Sequence, residues 1–145
     1  MKRRAFALAL FTALAAPSAL AAAQTAAPTS ATQTQIDVAL AAASLAALRT
    51  RYGDAHAEIT AARGRLSSQI DALRAAQARH EAIDANAAAQ ALERELADVR
   101  ARLSEFSSRC GAGHPDMASA RARGATLEDA IAHLTSDGVY LPAAS

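Results

Sequence analysis

Arg51-Tyr52-Gly53-Asp54-Ala55-His56-Ala57-Glu58 and Arg109-Cys110-Gly111-Ala112-Gly113-His114-Pro115-Asp116 are the two stretches on which the reading of this chain turns. A shift of 58 residues lays one over the other, so that Arg, Gly, His and a final acid coincide. The flanks agree as well: Val38 falls on Leu96, Leu45 on Leu103, Leu48 on Phe106 and Ile59 on Met117. Arg63 and Arg65 fall on Arg121 and Arg123, and Asp71 on Asp129. Ala and Arg coincide cheaply in this composition. With only 6 Gly and 4 His in the chain, a shared Gly-x-x-His does not. It predicts a helix–turn–helix corner used twice. Gly53 or Gly111 ends one helix in the left-handed conformation open to glycine. His56 or His114 then opens the next, with Pro115 at the first helical position, where a missing N–H costs nothing.

Outward from the corners, the apolar spacing is helical throughout and no strand pattern occurs. Val38, Ala41, Leu45, Leu48 and Tyr52 are spaced three, four, three and four, an a/d seam for a first helix over 35–51. Thr34 with Asp37 has the form of a helix-start box. Ile59, Ala62, Leu66, Ile70 and Leu73 begin a second seam, which Leu92, Leu96, Val99, Leu103 and Phe106 finish. No Pro or Gly lies between Gly64 and Gly111, so one long helix is expected, a rod on the order of 75–80 Å at 1.5 Å per residue. Its register slips around Ile83–Ala91, near His80, Asn86 and Gln90, and predicts a phase change or bend there. Met117, Ala120, Leu127, Ile131 and Leu134 mark the third helix, with Gly124 at one seam position and Asp137-Gly138 as its stop. The fold expected is all-α: an elongated antiparallel three-helix hairpin or coiled coil, with helices one and three folded back on opposite halves of one long central helix.

Domain organisation follows from composition. Lys2, Arg3 and Arg4 precede an apolar stretch, Ala5–Ala16, a break at Pro17-Ser18, and small-x-small sites ending at Ala21 and Ala23. This is the three-part layout of a secretory signal peptide over 1–23, cut after Ala23 or Ala21; Arg3-Arg4 is also compatible with twin-arginine export. Uncleaved, Ala5–Ala23 is long enough to act as an inner-membrane anchor. Residues 24–33 read as a flexible leader of Ala, Thr, Ser, Gln and Pro28. Residues 34–138 form the helical domain, and 139–145 a tail. Periplasmic or secreted localisation is therefore expected, with membrane contact only through an uncleaved segment.

The corners resemble the helix-connecting segment of bacterial polysaccharide chain-length determinant proteins, the polysaccharide copolymerases, in which Tyr-Gly-x-x-His-Pro-Glu precedes an Arg-rich amphipathic helix. The two copies read RYGDAHAEITAARGRLSSQIDAL and RCGAGHPDMASARARGATLEDAI. The resemblance implies hairpin geometry and an envelope setting. The chain departs from that family in lacking a second membrane segment, a flanking domain and a kinase region. It also carries Ala57 for Pro in one copy and Cys110 for Tyr in the other.

Chemistry is sparsely provided. After residue 23 the chain holds twelve Arg, no Lys and fourteen acids, a net charge of −2, which offers no clustered cation for nucleic acid. His56 and His114 are expected to cap or pack the corners. Cys110 and His114 supply a C-x-x-x-H spacing, two metal ligands at most, with no second pair to complete a tetrahedral set. Cys110 is the single cysteine, so in an oxidising compartment it is buried, free, or joined to another chain. No motif marks a nucleophile, a phosphate loop or a working carboxylate pair. The reading is of a protein that is not an enzyme, has no cofactor, and engages a partner coiled coil or its own copies through helical faces. The alternatives are a helical holdase and a metal or redox site at Cys110 and His114.

Overall fold

The computed structural model describes residues 29–109 and 113–143. The export segment, residues 24–28 of the leader, Cys110 and Gly111 lie outside the described residues. Four α-helices make up the fold: α1 (Ser30–Arg49), α2 (Ala57–Ala78), α3 (Ala85–Arg109) and α4 (Pro115–Asp137). No strand occurs among the described residues.

The helices pack in pairs, α1 with α2 and α3 with α4, and α1 also packs against α4 and α3. α2 touches α1 alone. Thr50 and Arg51, just past the end of α1, meet Ser119 and Asp116 at the start of α4, while Gln35 near its start holds Tyr140 beyond the end of α4. α1 therefore runs antiparallel to α4 and lies between its two neighbours. The expected pairings, the first helix on one half of the middle segment and the last helix on the other, are present; the continuous spine is not, and α1 is the helix that packs against the other three.

The reason lies in the side chains of α1. Its buried positions include Gln35, Ile36, Val38, Ala39, Ala42, Ala43 and Leu45. At 3.6 residues per turn these span roughly half the helix circumference, wider than one partner covers. α3 is its equivalent in the 58-residue repeat and buries only Ala88, Ala89, Leu92, Leu96 and Val99. Where α1 has Gln35, Ile36 and Ala42, α3 has Glu93, Arg94 and Arg100, all exposed. One copy of the repeat is apolar on two sides, the other on one.

The single long central helix is likewise corrected. It breaks at residues 79–84, so the described residues hold four helices and not three. His80 takes the left-handed conformation, φ 57°, which the sequence reading had assigned to glycine. Its N–H donates to Gln77 C=O at 2.9 Å, and Glu81 N–H donates to Ala76 C=O at 3.1 Å. These two bonds form a Schellman ending with histidine in the glycine place. Asp84 then starts α3, its carboxylate accepting from Ala87 N–H at 2.9 Å. The break is fastened to the start of α1. Asp84 N–H donates to the buried Thr32 hydroxyl, the Thr29 hydroxyl donates to Ala82 C=O, and Ser30 donates to Glu81. Hydrogen bonds from Arg79 first, and Ser30 second, hold the Glu81 carboxyl below its ordinary range.

The ends of the domain also differ from expectation. α1 begins at Ser30, with Thr29 as its cap accepting from Thr32 N–H, so residues 30–33 are helix and not leader. Thr34 is one turn inside. Gly53 has no positive φ; its carbonyl accepts from His56 N–H in a tight turn. Gly138 does have one, φ 74°, and ends α4. What reads as a tail then closes the core. Tyr140 is 5% exposed, and the Gln35 amide brackets its backbone, donating to C=O at 2.9 Å and accepting from N–H at 3.2 Å. Burial, and secondarily Asp129, pushes the Tyr140 hydroxyl upward in pKa.

Three outcomes follow from this packing. His80→Gly relieves left-handed strain and raises unfolding stability in denaturant titrations by about 1 kcal/mol. Gln35→Leu strands the Tyr140 backbone groups and costs about 1–3 kcal/mol by the same measurement. The third concerns pH. His133 is raised and Asp137 lowered, each chiefly by the 3.0 Å hydrogen bond between them. The stability from this pair fades as pH rises through the raised histidine value, and again as pH falls through the depressed carboxylate value. His133→Ala therefore lowers Tm at about pH 5.5 and much less at about pH 8.5.

Candidate functional site

The two histidine corners do the same local work. His56 and His114 sit at helix N-caps with nearly identical backbone, φ/ψ −68/140 and −65/136. In each, ring Nδ1 accepts from the backbone N–H two residues on, Glu58 or Asp116, at 3.2 Å. Such a bond satisfies one of the donors that every helix start leaves open. Pro115 lies at the first position of α4, as its fixed φ suits. Tyr52 stacks on His56 with ring centroids 4.2 Å apart. Cys110 takes the Tyr52 place in the second copy and lies outside the described residues. Among the described residues no group of three or more metal-ligating side chains comes together.

Both corners lie at one end of the bundle, and contacts across it join them. Arg51 pairs with Asp116, its Nε donates to the Ser119 hydroxyl at 2.9 Å, and Thr50 shares a 2.7 Å hydrogen bond with the same hydroxyl. Ser119 is buried by this arrangement.

Next to this junction a groove of about 550 Å³ opens between α1 and α3, with α4 beside them. Ser44, Ala47 and Leu48 line it from α1, Val99, Arg102 and Phe106 from α3, and Ser119, Ala120 and Arg123 from α4. Arg51, Tyr52, Glu58 and Asp116 complete its corner end. A second groove of about 550 Å³ runs between α1 and α2, lined by Asp37, Leu40, Ala41, Ser44, Ala62, Arg65, Ser68 and Gln69. Ser44 lines both, so the two follow the same half-buried stripe of α1. Leu40, Leu48, Tyr52 and Leu103 are half-buried against the core, and Phe106 is equally half-buried.

No family model, curated protein or solved structure matches this chain.

The groove was only partly legible in the sequence. Leu48, Tyr52 and Phe106 stood out as the last members of two seams. Arg51 and Arg123 stood out only as members of the repeat, and Arg102 and Ser119 carried no signal, because the four converge only after α3 and α4 dock on α1. Asp84 could have been found: an Asp before Ala-rich helical sequence, at a register slip, is an N-cap signature. Glu95 of α3 bonds Arg123 at 2.7 Å.

The capping geometry is tested by substitution. His56→Ala removes the acceptor and costs about 1 kcal/mol of unfolding free energy, whereas His56→Asp retains a side-chain cap and loses little. An equal loss in both would show that Nδ1 is not what the corner uses.

Proposed function

We propose that this chain is a non-enzymatic docking protein of the bacterial cell envelope, which receives a helix of a partner protein along the half-buried stripe of α1 that the two grooves follow. The observation that carries this is the pair of grooves meeting at Ser44, one lined by half-buried Leu40 and the other by half-buried Leu48 and Phe106. A groove with an apolar floor between helix walls is the receptor form of helix-in-groove recognition. The envelope setting rests on the Lys2–Ala23 layout and on nothing in the fold. Helix capping by itself accounts for the repeated Gly-x-x-His, so the corners lend no weight to a part in polysaccharide assembly.

A holdase is the competing reading. Gripping unfolded chains calls for broad exposed apolar surface, and among the described residues Leu141 is the one large hydrophobic that stands exposed. Apolar surface limited to two shallow grooves favours a specific partner.

Site-directed photo-crosslinking in intact cells tests the proposal. A photoreactive residue at Ala47 is expected to give one discrete adduct, whose crosslinked segment maps to a helix. The same residue at Ala97, on the exposed side of α3, gives none. Leu48→Glu removes the Ala47 adduct while shifting Tm by only a few degrees, since Leu48 is half-buried. Adducts of equal yield from both positions would refute groove docking.

A further inference from the structure

The chain reverses between α2 and α3 at a segment whose local chemistry favours running straight. Residues 79–84 read Arg-His-Glu-Ala-Ile-Asp, and neither Gly nor Pro occurs from Arg65 to Cys110. The turn is made by His80 in the left-handed conformation, a strained place for a residue with a Cβ. Polar bonds to the start of α1 hold it: the Thr29 hydroxyl to Ala82 C=O, Ser30 to Glu81, and Asp84 N–H to the Thr32 hydroxyl. Apolar packing divides the chain at the same place. α1 packs with α2, and α3 with α4; α2 packs on neither α3 nor α4, so only the faces that α1 turns to α3 and α4 join the two halves. Directions complete the geometry. α1 runs antiparallel to α4 and each short corner reverses the chain, so α2 and α3 run in opposite senses. The end of α2 and the start of α3 therefore lie together, beside the start of α1.

We propose that the face of α1 toward α3 and α4 also fits the α3–α4 hairpin of a second copy of this chain: residues 79–84 straighten into helix, and two chains exchange those hairpins in a closed two-fold dimer. Each unbent chain is then a rod from Ala57 to Arg109, about 80 Å long at 1.5 Å per residue. Two such rods lying antiparallel set the α1–α2 pair of one copy beside the α3–α4 pair of the other. Every helix pairing of the single chain is made again, now between chains. Straightening removes the left-handed residue and gives the amides and carbonyls at the break regular helix partners. Against it stand the bonds from Thr29, Ser30 and Thr32 and the cost of associating two chains. The closed single chain therefore prevails when dilute, and the exchanged dimer grows with concentration. The groove at the corners is rebuilt in the dimer from α1 of one copy and α3 and α4 of the other, so this inference neither needs nor displaces the docking reading.

The full exported chain carrying Cys110→Ser, Thr50→Cys and Ser119→Cys tests this. It is refolded from denaturant at rising protein concentration and separated by size-exclusion chromatography with light scattering. The Thr50 and Ser119 hydroxyls lie 2.7 Å apart across the α1–α4 contact, so cysteines in their places are set to oxidise to a bridge. In the exchanged dimer that bridge joins two chains, and the dimer peak is expected to run as two linked chains on a non-reducing denaturing gel. The monomer peak runs as one. A side-by-side dimer keeps each bridge within its own chain, and a dimer peak that ran as single chains would overturn the proposal. Hinge substitutions give a second readout, in the chain without the added cysteines. His80 is exposed, so changing it leaves the core alone. Because each dimer straightens two breaks, His80→Gly, which favours the turn, is expected to lower the dimerisation constant about tenfold or more, and His80→Ala, which favours helix, to raise it by about the same factor. Monomer alone at every concentration, His80→Ala included, would also overturn the proposal, as would the same response to both substitutions.

Discussion

Burial of α1 on more than one side is the constraint from which the rest of the architecture follows, because no single antiparallel partner covers half the circumference of a helix. Val38 and Leu45, seven residues apart, share one side of α1 and Ile36 lies on the other, so side chains each worth roughly 1.5–3 kcal/mol when removed from water need different neighbours. α2 supplies one wall, and the α3–α4 pair supplies the other. Small side chains elsewhere in α1, chiefly alanine, let those neighbours come close. With three large aromatic-poor seams meeting on one helix, a thin Ala/Leu core is enough to hold four.

The same constraint explains why the rod breaks. An unbroken helix across residues 57–109 would lay only one half against α1 and carry the other half beyond its end. Ending α2 at Ala78 and restarting at Ala85 returns α3 to the bundle. The left-handed His80 costs on the order of 1–2 kcal/mol, and the two Schellman bonds and the Asp84 cap replace helix bonds lost at the break. Burial of Leu92, Leu96 and Val99 offsets that cost several times over. Thr29, Ser30 and Thr32 then tie the break to the start of α1, so a polar cluster secures what apolar packing drives.

The groove arises from the asymmetry between the two copies of the repeat. α1 is apolar around much of its surface, whereas α3 turns Glu93, Arg94 and Arg100 to solvent and offers a narrow seam. The two helices meet over a shorter stretch than either pair, and the space they leave near the corners is floored by the ends of their seams. Arg51 and Arg123, each tied to an acid from another element, are placed there by docking of α4.

Helical class, the histidine caps, the seam residues and the stop at Gly138 were readable from local pattern, because they depend on neighbours a few residues apart. The histidine corners were legible for the same reason: a cap needs only its own first turn. What tertiary structure alone decided was which helix became the centre, since that depends on comparing the second faces of α1 and α3 in contact. It also decided that the chain would reverse at His80, a residue whose own preference opposes the left-handed turn. Closure by Tyr140 was settled the same way, through a buried amide at Gln35 that pairs with backbone a hundred residues distant only once the bundle has formed.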